Sequence, residues 1–363
     1  MPILQPRRIR NLMNCSGIIE GMSASVGEDQ SLKKSSILRK MVPGLLLGIA
    51  VMVGLTLLGD IREVGALLQT FDWRLFPLAL LFTLFNYTLR FIKWQYYLNQ
   101  VGVRGFAWKR SLQIFVAGFP LAVTPGKVGE VFKGIWLQQQ TGLPVARGVS
   151  LIVAERVSDG LAVLMLSVLG VIAHPQYWPA FSIILGVLLV GIVISQIRPL
   201  ALGILAFAGR LPVIGKAVPA LREFYEGSFV LFRPQAALVG VGLGTVSWFG
   251  EGIGFYLILT GLGMPANLET FSNAVFILAF STVVGAVSAL PGGLGASEAS
   301  IAGMLVLVGG AAPAIASAAT VIIRLATLWF GVSLGLITWA FSTRLLNLQE
   351  EPLQPLNRTL EVE

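Results

Sequence analysis

Long apolar stretches recur along almost the whole chain. Six of them reach the length needed to cross a bilayer, because each helical residue adds about 1.5 Å against a hydrocarbon core about 30 Å thick. Of the 363 residues, 55% are hydrophobic and only 12% are charged, a balance that a water-facing surface of this size does not carry. The sequence therefore predicts an all-α integral membrane protein. Its predicted spans are residues 42–59, 76–98, 148–173, 179–197, 235–261 and 314–341.

Two further apolar regions, 111–138 and 271–310, are interrupted near the middle by a Pro-Gly pair, at Pro125 and at Pro291. Proline removes a backbone donor and clashes with the preceding turn, and the glycine beside it lets the chain reverse. We expect each region to form two half-helices in a re-entrant hairpin. Its tip should face the protein interior, because non-helical backbone at membrane depth must be shielded from lipid. The alternative is an ordinary loop at the membrane surface.

The residue inventory excludes several function classes. The chain has one cysteine, Cys15, and one histidine, His174, so zinc sites, disulfide frameworks and Ser-His-Asp catalysis lack their side chains. The net charge of +8 raises the question of nucleic acid. Most Lys and Arg residues, however, flank apolar segments, where anionic lipid headgroups are the favoured partner. We predict no metal, no cofactor and no nucleic-acid partner.

The basic residues also predict an orientation. Eighteen of the 26 Lys and Arg residues fall in cytoplasmic segments if the N-terminus is cytoplasmic and both broken regions are re-entrant, whereas only Arg62 and Arg74 fall in outer loops. This bias predicts a multi-pass protein of a bacterial-type inner (plasma) membrane with both termini in the cytoplasm. The predicted parts are a basic, disordered tail (1–40), a membrane domain (41–345, with halves 41–197 and 200–345) and a cytoplasmic tail (346–363).

The two Pro-Gly motifs belong to a longer repeat. TPGKVGE at 124–130 and LPGGLGASE at 290–298 share Pro-Gly, an apolar residue, Gly and then Glu. Glu130 is followed 26 residues later by Arg156, and Glu298 is followed 26 residues later by Arg324. The shared spacing predicts an internal duplication. Three predicted spans separate the motifs, an odd number, so we expect an inverted-topology repeat, which is typical of transporters.

Charged residues within the apolar segments give the candidate site. A charge at mid-membrane costs about 2.5 to 3.5 kcal/mol on insertion scales, so each needs a partner or a polar cavity. Glu155 and Asp159 share a helix face, and we expect Arg156 or a lysine of the first hairpin to neutralise them. Free N–H groups at half-helix ends can hold a phosphate or carboxylate. The candidate substrate-binding residues are Pro125, Gly126, Lys127, Gly129, Glu130, Lys133, Glu155, Arg156, Asp159, Glu251, Pro291, Gly292, Gly293, Gly295, Glu298 and Arg324; none is assigned as catalytic.

Two interpretations stay open for several of these charges. Arg90, Lys93 and Trp94 end the second predicted span, where either snorkelling to the interface or contact with a lipid headgroup explains them. Lys133 either joins the polar face of the first hairpin or snorkels. Glu251 lies one turn after Trp248, and we favour lining of a cavity over simple packing for this pair. Any one charge could instead serve only as a buried ion pair that fixes helix register.

Four motifs in order carry a resemblance to a known family. TPGKVGE, ERVSDG at 155–160, LPGGLGASE and the helix of Arg324 resemble the flippase-like family defined by the lysylphosphatidylglycerol synthase transmembrane region. The resemblance runs over about 42–341. Relatives join such a region to a soluble aminoacyl-transfer domain and expose aminoacylated phosphatidylglycerol on the outer leaflet, and others are linked with polyprenyl-phosphate sugar carriers. We expect no such soluble domain in this chain.

The resemblance implies a lipid flippase-like transporter for an anionic lipid and no enzymatic activity. One alternative is a membrane scaffold or partner subunit of a separate lipid-modifying synthase or glycosyltransferase. Another is an intramembrane transferase with Glu130, Glu155 or Asp159 as base, which no nucleotide or metal motif supports. Membrane lipids with anionic headgroups are the expected partners, and an oligomer is compatible with the sequence.

Overall fold

The structure is a computed structural model, and it describes residues 42–342 except 45, 52, 55–56, 58–59, 125–128, 174–175, 177 and 209–216. Within these residues the secondary structure is all helical, as the sequence predicts. Both predicted tails lie outside the described residues, as do Pro125, Gly126 and Lys127 of the first motif.

The described helices are α1 (Val42–Val51), α2 (Ile61–Thr70), α3 (Leu75–Gln100), α4 (Trp108–Ala117), α5 (Val131–Thr141), α6 (Val145–Ala173), α7 (Trp178–Gln196), α8 (Arg198–Ala208), α9 (Val218–Leu231), α10 (Pro234–Gly261), α11 (Leu268–Val287), α12 (Ala296–Leu307), α13 (Pro313–Arg324) and α14 (Phe330–Phe341). Short 3₁₀ turns cover Phe119–Val123 and Pro291–Gly293, and a π-helical turn covers Leu325–Trp329.

Local sequence sets several helix ends. The Asp60 carboxylate accepts a hydrogen bond from the Arg62 backbone N–H (3.0 Å) at the start of α2, and the Asn267 side chain accepts one from Thr270 (2.9 Å) at the start of α11. Both are N-caps, which satisfy donors that the first helical turn leaves free. Gly142 ends α5 in the left-handed conformation (φ 75°), which glycine adopts without steric cost.

Among the described residues, four helices are long and apolar enough to cross a membrane: Leu75–Gln100, Pro234–Gly261, Leu268–Val287 and Pro313–Phe341. There are five if α7 and α8, bent by 85° relative to each other, count as one broken span. The chain is therefore a multi-pass membrane protein. The predicted count of six is not confirmed, although the 29-residue α6 covers the predicted span 148–173.

The two regions broken by Pro-Gly fold back on themselves. In the first region, Arg110 of α4 donates a hydrogen bond to Gln140 of α5 (3.2 Å). In the second, the Ser281 hydroxyl of α11 donates to the Ser300 hydroxyl of α12 (3.0 Å). The expectation of two half-helices is not confirmed for the second region. Its apolar run continues without a breaker from Leu268, so α11 has 20 residues and is itself of spanning length.

The two halves of the chain pack closely against each other. The most extensive helix contact joins α3 to α10. It depends on small residues, since a Cβ on Gly240 would overlap Tyr97 and one on Gly250 would press against Phe85. At the C-terminal end, the Trp339 indole of α14 donates to the carbonyl of Ala117 in α4 (2.9 Å). Helices of both halves therefore surround one central space.

Candidate functional site

A cavity of about 470 Å³ lies between α3, α6, α10, α11 and α13. Apolar side chains form much of its wall, and charged groups from both halves of the chain interrupt it. Such a mixture of apolar wall and a few convergent polar groups is typical of ligand sites. The charged residues that line it are Arg90, Glu130, Arg156, Asp159, Glu251 and Arg324.

The first motif supplies an ion pair at the cavity wall. Glu130 directly precedes α5, and its Oε2 lies 3.1 Å from Nε of Arg156, in the middle of α6. The Glu130 side chain is 6% exposed, whereas that of Arg156 is 35% exposed. Because only Nε contacts Glu130, the terminal guanidinium nitrogens of Arg156 remain able to donate to a ligand. Arginine suits this role, since its planar fork matches carboxylate and phosphate oxygens.

The second motif supplies the equivalent pair. Glu298 of α12 lies 2.5 Å from Nε of Arg324 at the end of α13, and Arg324 also donates to the carbonyl of Gly292 (3.2 Å). The 26-residue spacing in the sequence thus corresponds to the same contact in both halves. In each half, a glutamate that follows the Pro-Gly break forms an ion pair with an arginine of a following helix. The repeat visible in the sequence is also a repeat of interactions.

Glu298, a predicted substrate-binding residue, does not line the cavity. Its side chain is fully buried, and its Oε2 accepts a hydrogen bond from the backbone N–H of Gly295 (2.7 Å), which caps α12. A carboxylate in the first turn of a helix satisfies free donors and interacts favourably with the helix dipole. The free N–H groups at this helix end, which the sequence suggested could hold a phosphate or carboxylate, thus include one that binds the protein's own Glu298.

Lys93 and Trp94, which we expected at the membrane interface, are buried inside the protein. Lys93 has no exposed surface and lies 2.5 Å from Asp159, while the Trp94 indole is buried and donates to Ser111 (3.0 Å). Both residues face the protein because Asp159 on α6 and Ser111 on α4 give them buried polar partners. Arg90, one turn earlier, lines the cavity instead.

The two acids of α6 are neutralised mainly by α3. Arg90 lies 3.0 Å from Glu155 and 3.6 Å from Asp159, and Lys93 pairs with Asp159. We expected Arg156 or a lysine of the first hairpin in this role. Arg156 instead pairs with Glu130, and Lys133 contributes a longer contact of 3.7 Å to Glu155. Pairing on this scale is needed because an uncompensated buried charge is strongly destabilising.

Lys133 lies behind the cavity wall. Its ammonium group is buried above the rings of Trp94 (5.2 Å) and Phe115 (5.3 Å), a cation–π arrangement. Gly118 makes room for it, since any side chain there would overlap the lysine. The snorkelling interpretation is therefore wrong for Lys133, and the residue does not line the cavity.

Glu251 and Trp248 of α10 both line the cavity. Glu251 is 5% exposed, and unlike the other described acids around the cavity it has no salt-bridge partner. Arg90, Asp159 and Arg324 line the same cavity as Glu251.

The second Pro-Gly break reaches the cavity. Gly292 and Gly293 line it with left-handed backbone (φ 61° and 68°), a conformation that a side chain disfavours. Gly292 also packs against Val123, so the two broken regions approach each other. Pro291 and Gly295 do not line the cavity. In the first region Gly129 is held by a hydrogen bond from its N–H to the Thr124 hydroxyl (2.9 Å).

Sequence reasoning missed Tyr87. Its hydroxyl donates to the carbonyl of Thr327 (2.8 Å) within the π-helical turn, and both residues line the cavity. The available signal was its position one turn before Arg90 on α3. π-helical turns leave backbone carbonyls without regular partners and occur often at functional sites. In the part of the chain that the structure describes, no three His, Cys, Asp or Glu residues are grouped so as to hold a metal ion.

Fold and cavity together define a multi-pass α-helical membrane protein with an ion-paired polar cavity between its halves. Residues 45–335 match the family model for the lysylphosphatidylglycerol synthase TM region, and the chain belongs to this family. The match covers the motifs from TPGKVGE to the Arg324 helix and confirms the resemblance inferred from them.

Several archaeal membrane proteins are similar to the chain. A UPF0104 membrane protein of Methanothermobacter thermautotrophicus is 26% identical over 77% of this chain and 86% of the relative. One of Pyrococcus horikoshii is 23% identical over 80% of this chain and 94% of the relative. One of Methanocaldococcus jannaschii is 27% identical over 49% of this chain and 74% of the relative. These names describe membrane proteins and indicate no catalytic function.

Proposed function

We propose that the protein moves an anionic lipid, either a phospholipid or a polyprenyl-phosphate-linked lipid, between the leaflets of a bacterial-type inner membrane. The observation that carries the proposal is the cavity between the halves, where Arg90, Arg156 and Arg324 stand in a largely apolar wall. The guanidinium groups would bind the phosphate, while the apolar wall would accommodate the start of the acyl or prenyl chain.

The mechanism we propose is alternating access by an inverted repeat with re-entrant regions. Exchange of the conformations of two inverted halves converts an inward-facing cavity into an outward-facing one. Two observations support it: the Glu-to-Arg pair recurs in each half, and Gly292 packs against Val123 between the two broken regions. The spanning length of α11 weighs against a symmetric pair of hairpins, so the topology needs its own test.

The arginines have distinct roles in this proposal. Arg156 would contact the headgroup directly, because its side chain is the most exposed of the three and only its Nε is paired. Arg324 is held by Glu298 and by the carbonyl of Gly292. A headgroup that bound Arg324 would therefore also act on the second Pro-Gly break, through this hydrogen bond. This coupling offers a route from binding to a change in conformation.

Reconstitution tests the proposal. Purified protein would be placed in liposomes with fluorescent phosphatidylglycerol or a fluorescent polyprenyl phosphate, and leaflet exchange would be followed by bleaching of the outer leaflet with dithionite. We expect exchange of at least one anionic probe to exceed that in empty liposomes, with zwitterionic phosphatidylcholine, which has no net charge, as the control. No acceleration for any anionic probe would overturn the proposal.

A scaffold for a separate synthase or glycosyltransferase is the second candidate. It is favoured by the complete burial of Glu155, Lys93 and Glu298, whose pairs stabilise the fold whatever the function. Exchanging the first pair, Glu130→Arg with Arg156→Glu, discriminates between the two. Leaflet exchange at the wild-type rate would support a purely structural pair, whereas a folded protein without exchange would support headgroup contact.

A further inference from the structure

Among the described residues, the acidic and basic groups around the cavity balance only if Glu251 is counted. The described cluster holds five bases and five acids, and one acid, Glu251, has no salt-bridge partner. The bases are Arg90, Lys93, Lys133, Arg156 and Arg324, and the acids are Glu130, Glu155, Asp159, Glu251 and Glu298.

The state of Glu251 therefore decides whether the cluster carries net charge. With Glu251 ionised the described cluster is neutral and holds no excess attraction for an anion. With Glu251 protonated one positive charge is uncompensated, in a wall of low polarity where charge interactions are strong. The other acids are less suited to binding a proton that changes the net charge, because protonation of Glu155, Asp159 or Glu298 would break an existing ion pair.

Glu251 is buried at the cavity wall, where a bound ligand would interact with it. It is nineteen-twentieths buried on the spanning helix α10, and it lines the same cavity as Arg156 and Arg324. The Trp248 indole one turn earlier lines that wall as well. An anionic headgroup bound between the arginines would repel an ionised Glu251, whereas a protonated Glu251 could donate a hydrogen bond to it.

Charged and titratable groups face Glu251 from several elements. Into the cavity that Glu251 lines, α3 presents Tyr87 and Arg90, α6 presents Asp159, and α13 presents Arg324. The only charged residue of α11 is the exposed Glu269. The helices packed against α10 carry further charged or titratable groups: Lys93, Tyr96 and Tyr97 on α3; Arg147, Glu155 and Arg156 on α6; and Arg222, Glu223, Tyr225 and Glu226 on α9. On α9, Glu223 pairs with Arg147 and Glu226 pairs with Arg198.

We propose that Glu251 is a proton-binding site that couples proton uptake to binding of the anionic lipid in the cavity. The inference rests on the proposed function and deepens it, since it assigns the co-bound ion. By linkage, a proton on Glu251 strengthens anion binding by the same factor by which the anion strengthens proton binding. The occupied cavity then carries proton and anion together, which removes the excess charge from the membrane interior during movement.

Proton uptake on binding is the direct measurement. Dioctanoyl phosphatidylglycerol would be titrated into purified full-length protein in weakly buffered detergent solution containing a pH indicator, at several values between about pH 5 and pH 9. We expect uptake approaching one proton per lipid bound in part of this range, and affinity on the order of tenfold higher at the acidic end than at the alkaline end. Glu251→Gln should bind without uptake and with affinity nearly independent of pH.

A matched variant and a change of salt complete the test. Glu269→Gln removes an exposed acid of α11 and should retain the uptake of the wild type. Equal proton uptake by Glu251→Gln and wild type would overturn the assignment. So would lipid binding that depends on sodium instead of a proton, which would be seen as a loss of binding when choline replaces sodium in the buffer. Lipid binding by the wild type without proton uptake would overturn this inference and leave the proposed function intact. Failure to bind both phosphatidylglycerol and a short-chain polyprenyl phosphate would overturn the proposed function and this inference with it.

Discussion

Arg156 and Glu130 lie 3.1 Å apart at the wall of the central cavity, and Arg324 and Glu298 repeat the contact 168 residues further along the chain. The first arginine is partly exposed, whereas the second is held more tightly, with a fully buried acid. The two pairs thus differ in accessibility. The first arginine is the more accessible to a ligand, and the second also holds the Pro-Gly break through the carbonyl of Gly292.

Neutralising Arg156 should impair lipid exchange. For Arg156→Gln we expect a decrease of at least about tenfold in the exchange rate of the anionic probe, because a charged hydrogen bond contributes about 1.5 to 3 kcal/mol. Arg156→Lys should recover part of the rate, since it keeps the charge but loses the planar fork. Arg147→Gln is the matched control, as Arg147 is similarly exposed and pairs with Glu223 away from the cavity. An equal decrease in exchange rate for Arg147→Gln would contradict the assignment of Arg156 to headgroup contact.

Removing the charge of Glu298 should destabilise the fold. Glu298→Gln leaves Arg324 without its buried partner and weakens the cap of α12, and we expect a loss of about 3 to 5 kcal/mol. Thermal unfolding in detergent, followed by intrinsic fluorescence, measures it. The double variant Glu298→Gln with Arg324→Gln should recover part of the loss. An unchanged melting temperature for the single variant would show that the pair does not stabilise the fold.

The close approach of α3 and α10 gives a prediction about packing. Gly240→Ala should lower the free energy of unfolding by about 1 to 3 kcal/mol, because the new Cβ would overlap Tyr97. Gly242→Ala, two residues along the same helix, meets open space and should have little effect. Comparing the two melting temperatures tests whether this helix contact is as close as the structure indicates.

The proposed topology predicts which loops are reached from outside. After replacement of Cys15 by serine, Met264→Cys and Gly310→Cys should both react with a membrane-impermeant maleimide on intact cells, since they flank the second broken region. Lys109→Cys, in a predicted cytoplasmic segment, should react only after lysis. Labelling of positions 264 and 310 from opposite sides would show that the region crosses the membrane an odd number of times.

The sequence located the charged residues better than it predicted their partners or their depth. The equal spacing from Glu130 to Arg156 and from Glu298 to Arg324 indicated that the four residues correspond, but Arg156 was expected to neutralise Glu155 and Asp159, and only the structure shows that each arginine pairs with the preceding glutamate. Lys93 was misplaced because its partner Asp159 lies 66 residues away, and only the tertiary fold brings them together. At the end of an apolar run, a buried lysine and a snorkelling lysine have the same local sequence.

The length of α11 shows a second limit. A Pro-Gly pair indicates where a helix ends but not how far the preceding arm extends, so the sequence did not distinguish a half-helix from the 20 residues that precede the second break. The cap formed by Glu298 was likewise hidden, since its position three residues after Gly295 suits both a cap and a ligand site. Tyr87 was missed because its partner is the backbone of Thr327, which no side-chain pattern reveals.

The central claim is that the cavity between the halves binds an anionic lipid through Arg156 and Arg324. Native mass spectrometry of protein purified in mild detergent tests it most directly, with wild type, the double variant Arg156→Gln with Arg324→Gln, and the control Arg147→Gln. The account predicts a retained phospholipid or polyprenyl phosphate of anionic headgroup on the wild type and the control, and its loss from the double variant. Equal retention by all three proteins, or retention of zwitterionic lipid alone, would contradict it.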